Sequence, residues 1–196
     1  MTRPTRLSRR LVRATAGLST VAVALALAGF VRIAFNPGGP GFSWSQLPVR
    51  YVIQAAGSDD VADDSEKAAV RLAFRAWEEL SSSAVRFEED LTADATRRDH
   101  QAQDLHLVMW DDAGDSGLFT AGSGVVALTP LLASTVTGQI FDADIVFNGA
   151  QPFATAPTSG RFDIQSIATH EVGHFIGLDH AAGPTRPCTR RSWPGP

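Results

Sequence analysis

The chain has 196 residues, 44% hydrophobic and 19% charged. That is enough for one globular domain with a sizeable core, and it excludes collagen-like, coiled-coil and wholly disordered architectures. The formal charge is −4 from 17 basic and 21 acidic residues, and a single cysteine, Cys188, excludes an internal disulfide.

The N-terminus has a composition of its own. "MTRPTRLSRRLVR" carries five arginines and no acid, and "ATAGLSTVAVALALAGF" follows without a charge. A basic region before an apolar run reads as a secretory signal over residues 1–28, with "ALA" at 26–28 as the cleavage site. The alternative is an uncleaved anchor, which would bring a membrane into play. Removal of the five arginines leaves twelve basic against 21 acidic residues, a charge of −9. Such an acidic exported domain is a poor partner for nucleic acid or an anionic membrane. A monomer is expected, stabilised by its core and any bound metal.

Residues 29–46 include the Gly/Pro/Ser-rich "NPGGPGFSWSQ" and read as a linker. "LPVRYVIQ" (47–54) alternates as a strand. "DDSEKAAVRLAFRAWEELSS" reads as a helix, because Val70, Ala73, Phe74 and Trp77 form one apolar stripe. Asp63 with Glu66 suggests a capping box at its start. Further strands are expected at "AVRFEED" (84–90), "DLHLVMW" (104–110), "GVVALTPLL" (124–132) and "GQIFDADIVFN" (138–148). The acid clusters, "DDVADDSE" and "WDDAGD" among them, read as solvated loops. His106 and His100 read as plain surface residues. "DIQSIATHEVGHFIG" is the second helix, with Asp163 as N-cap and Gly177 as its stop. The order strand, helix, four strands, helix predicts an α+β fold with one mixed sheet and two packed helices over residues 47–180.

The chemistry lies in "HEVGHFIGLDH" (170–180). His170 and His174 are four apart, so both imidazoles lie on one helix face about one turn apart. Glu171 is rotated about 100° from His170 and is free to act on a water. Gly177 lets the chain turn away, and His180 can return as a third ligand. Three neutral nitrogens leave a fourth position open, which is the arrangement of a catalytic zinc. H-E-x-x-H alone is a modest signal; Gly177 and His180 at their offsets make it specific.

With this motif the sequence resembles the metzincin metallopeptidases, and more narrowly a bacterial matrixin, a relative of the matrix metalloproteinase catalytic domain. The resemblance extends over about residues 44 to 180, through "LPVRYVIQ", the Trp77 helix, "DLHLVMWD", "GVVALTP" and "FDADIVFNG". It implies a mostly parallel twisted sheet of about five strands. It also implies a zinc endopeptidase acting on extended protein or peptide substrates. His170, His174 and His180 would bind one zinc and Glu171 would be the general base. Val125, Val126, Ala127 and Leu128 would form the sheet edge that pairs with substrate. Asp142 falls at a calcium-binding aspartate of matrixins, although Ile145 replaces the glutamate that follows there, so calcium is a second candidate ion. "WDDAGDSG" (110–117) lacks the histidine for a second, structural zinc.

Metzincins carry a methionine turn after the third histidine. The tail "AAGPTRPCTRRSWPGP" has no methionine, so 181–196 is expected to be irregular and the C-terminal subdomain largely missing. The alternative function is therefore an impaired domain that binds zinc or peptide without turnover.

Overall fold

A computed structural model describes residues 30–180. The expected signal or anchor (1–28) and the tail 181–196 with Cys188 lie outside the described residues. Among the described residues no helix is long and apolar enough to cross a membrane.

Three strands form the centre of the main sheet: β3 (Val49–Ile53), β5 (Leu107–Trp110) and β9 (Ile145–Phe147). The strand period of two sends alternate residues to opposite faces. Val49, Tyr51, Ile53, Val108, Trp110, Ile145 and Phe147 join one core cluster. Val52, Leu107, Met109 and Val146 join another, covered by Ala93, Ala95, Leu118 and Phe119 from loops. The helices α1 (Ser65–Glu78) and α2 (Ile164–Phe175) add Ala69, Val70, Ala73 and Phe74, and Ile164, Ala168, Val172 and Phe175, to the first cluster.

With β4 (Phe87–Glu89) and β6 (Ala127–Leu128), the sheet order is β4-β3-β5-β9-β6. Only β6 runs antiparallel to its neighbour, and it is an edge. The α+β fold with a mixed, mostly parallel five-stranded sheet and two main helices is as expected.

"GVVALTPLL" was expected as one strand but divides into β6 and β7 (Leu131–Ala133). Pro130 lies between them and has no N–H to continue a ladder. "GQIFDADIVFN" likewise divides into β8 (Gln139–Ala143) and β9 around Asp144. Asp144 N–H donates to the Pro130 carbonyl, and Asp144 Oδ1 accepts the Leu107 N–H at 2.6 Å. There the chain leaves a three-stranded sheet, in which β8 lies between β7 and the short strand β2 (Ser43–Trp44), and enters the main one.

Two short pairs complete the fold. β10 (Phe153–Ala154) runs parallel to β11 (Phe162–Asp163), and β1 (Phe30–Arg32) runs antiparallel to β12 (Leu178–His180). Residues 29–46 were expected as a linker. The described part instead contributes β1 and β2 (Ser43–Trp44), and β2 pairs with β8. Its apolar residues Phe42 and Trp44 explain this, because both pack against the core.

The expected capping box at α1 does not form. Asp64 is the N-cap, in the left-handed region at φ 58°; its carboxylate caps no helix N–H and instead accepts from Lys67 Nζ at 2.6 Å, while Asp63 Oδ1 accepts the Ser65 N–H. Glu66 turns inward and is 1% exposed. It fills space that a side chain on Gly57 would occupy, and burial raises its carboxyl pKa. Helix α1 is tied to α2 by Trp77, whose Nε1 donates to the Thr169 carbonyl at 2.8 Å.

Candidate metal centre

Helix α2 begins at Asp163, whose side chain accepts the Ser166 N–H at 2.8 Å. Ile164, Ala168, Val172 and Phe175 form its buried stripe, and this directs His170 and His174 away from the core. The helix stops at Gly177, which has φ 87° and donates its N–H to the His174 carbonyl. A Cβ there would lie 2.5 Å from the Phe42 carbonyl oxygen, so glycine is required twice over. Beyond it, β12 brings His180 back to the helix.

The three imidazoles converge. His170 Nε2 lies 3.2 Å from His174 Nε2 and 3.0 Å from His180 Nε2. The ring centroids are 4.9, 5.0 and 4.8 Å apart, close to an equilateral triangle. His174 Nδ1 lies 2.7 Å from the Leu178 carbonyl. A carbonyl only accepts, so Nδ1 carries the proton and Nε2 keeps its lone pair. Burial, reinforced by His174 and His180, lowers the His170 pKa to about 4, which keeps this imidazole neutral at pH 7. One nitrogen from each ring, all within 4.8 Å of one another, fits a single zinc with an open position.

Glu171 is buried beside this triangle. Thr129, just beyond β6, donates its hydroxyl to Glu171 Oε2 at 2.6 Å and lies 3.2 Å from the Glu171 carbonyl oxygen. Burial raises the Glu171 pKa, against the opposing pull of the Thr129 hydroxyl and His174. In the sequence Thr129 falls only at the end of the candidate substrate edge, and nothing local signals a contact with Glu171, 42 positions away.

Ala127 and Leu128 form β6, with Val125 and Val126 leading into it. Asn148 N–H donates to the Val126 carbonyl, and Ala127 stands opposite Phe147. Antiparallel ladders alternate, so the N–H and carbonyl of Ala127 face the open edge.

Asp142 is not with these residues. It is buried in β8, and its Oδ1 lies 2.8 Å from His106 Nδ1. Asp142, the candidate calcium residue, thus has His106 as a side-chain partner, and calcium is not supported here. His106 is a half-buried partner and not a plain surface residue, with its ring 4.7 Å from Trp44. His100 is also buried. In the 110–117 loop Asp111 is buried as well, and its carboxylate accepts from Ser116 Oγ and from the N–H groups of Asp115 and Ser116.

The chain is similar in sequence to known proteins. Metalloendoproteinase 1 of Glycine max is 29% identical over 120 residues, which are 61% of this chain and 36% of the relative. Matrix metalloproteinase-16 of Homo sapiens is 25% identical over 146 residues, 74% of this chain and 23% of the relative. Neutrophil collagenase of Homo sapiens is 23% identical over 150 residues, 76% and 28% respectively. The chain thus spans about a third or less of the length of these relatives. Residues 43–186 match the matrixin family, Peptidase_M10. That match takes in the sheet, both helices and all three histidines, and the chain belongs to the matrixin family.

Proposed function

We propose that this chain is a zinc-dependent endopeptidase acting on extended protein or peptide substrates. The observation that carries the reading is the convergence of three Nε2 atoms beside a buried glutamate held by Thr129. His170, His174 and His180 would hold the ion. Zinc, when bound, supplies Lewis acidity, polarising a carbonyl and making water acidic enough, with a pKa of about 7, to be deprotonated near neutral pH. Glu171 would accept the proton of the attacking water and deliver it to the leaving amine. Thr129 would aim that carboxylate, and the Leu178 carbonyl would fix the His174 ring. Val125 to Leu128 would bind substrate, with the Ala127 backbone pairing to an extended peptide as an added strand. The relatives named metalloendoproteinase and matrix metalloproteinase support the same reaction class. The basic-then-apolar N-terminus supports export.

The test is cleavage of a peptide library with and without a chelator, beside Glu171→Ala. Turnover should disappear with the chelator and fall about 10²–10⁴-fold in the variant. Chelator-insensitive cleavage, or full activity in Glu171→Ala, would refute the reading. Stoichiometric zinc without cleavage would favour a domain that binds without turnover.

A further inference from the structure

His180 is the one histidine of the three that lies off the helix. It is exposed, on a three-residue strand that follows a left-handed glycine. His170 and His174 are set by helix geometry, whereas the direction of His180 depends on what holds β12. Among the described residues β12 pairs with one strand only, β1. The register runs Phe30 to His180, Val31 to Asp179 and Arg32 to Leu178.

The contact continues past the strand. Ile33 N–H donates to the Gly177 carbonyl at 2.9 Å. The chain then folds back through a bridge between Ala34 and Gly41, and Phe42 N–H donates to the Ile33 carbonyl at 2.7 Å. The Phe42 carbonyl packs against the Cα side of Gly177. Two residues on, Trp44 Nε1 donates to the Phe175 carbonyl at 2.8 Å, at the end of α2. One segment thus grips the end of the helix, the turn glycine and the returning strand, the whole path from His174 to His180.

We propose that residues 30–44 are a strap that positions His180 for zinc, so that the first described segment of the chain belongs to the metal centre. The proposal rests on the zinc reading above. Its logic is preorganisation: an ordered strand presents the third nitrogen in place, and an unpaired one must be ordered when the ion binds. Ile33 is a positioning residue that acts through its backbone N–H. Valine at 33 keeps that donor and proline removes it.

The full chain and its Ile33→Pro and Ile33→Val variants are titrated with zinc against a chromophoric chelator. Amide hydrogen exchange is followed in the zinc-free forms. Ile33→Pro should bind zinc about tenfold more weakly, while Ile33→Val matches the unaltered chain. The amides of Leu178 to His180 should exchange faster in Ile33→Pro, and those of α1 at the same rate. Equal zinc affinity in a folded Ile33→Pro protein overturns the proposal. Should proline prevent folding, Trp44→Phe carries the test, since it keeps an aromatic ring and loses the indole donor. Weaker zinc binding there supports the strap and unchanged binding overturns it. Failure of the unaltered chain to take up zinc overturns the metal reading as well, and is seen before any variant is compared.

Discussion

Glu171 and Thr129 show how little a side chain's role depends on its own neighbourhood in sequence. The glutamate stands next to a zinc-ligand candidate, and its position in the motif is readable from spacing alone. The hydroxyl that orients it comes from 42 residues away. Thr129→Val removes that donor and nearly preserves volume. Hydrogen bonds to charged groups contribute about 1.5–3 kcal/mol, so kcat should fall about tenfold or more with zinc affinity unchanged. Thr129→Ser should recover most of it. Steady-state kinetics with a parallel zinc titration checks this, and an unaltered kcat in Thr129→Val would show the contact to be idle. Asp142 and His106 illustrate the same limit. Asp142 reads as a candidate calcium ligand and His106 as a plain surface residue, yet they pair across 36 positions and the carboxylate is buried.

At the scale of elements, α2 is the most legible part of the chain. Its N-cap and its terminal glycine act within a few residues, and each is found where the sequence indicates. Asp163→Ala should cost about 1 kcal/mol by releasing the first-turn N–H of Ser166. Urea denaturation reads that loss, and stability equal to the parent would mean the cap is replaced by solvent. Other element signals were overridden. Asp63 and Glu66 have the spacing of a capping box, but Glu66 is drawn inward beside Gly57. The strand candidates at 124–132 and 138–148 each divide, because Pro130 and Asp144 meet and pass the chain from one sheet to another. A one-dimensional pattern shows β character there and cannot show which sheet receives it.

For the whole molecule, Asp144 couples that sheet crossing to pH. Burial, with smaller contributions from Asp142 and Asp99, pushes its carboxyl from 3.8 up to about 8, although the Leu107 N–H opposes the shift. The folded state therefore keeps a proton that the unfolded chain has released. This contribution to stability is complete below 3.8 and is lost as pH rises through about 8. Asp144→Asn retains an oxygen for the Leu107 N–H and does not titrate. It should flatten the fall in stability over that window and exceed the parent above about pH 8, as measured by denaturation across pH; an unchanged slope would assign the dependence to other groups. The α+β class, the two helices and the three histidines with their glutamate are legible in the sequence, because periodicity, caps and an eleven-residue motif are local. Tertiary structure alone decided that β6 is an open edge, that Thr129 reaches Glu171, and that residues 30–44 grip the turn before His180. Trp44 and Phe175 meet across 131 positions, and contacts of that kind depend on how the whole sheet is assembled.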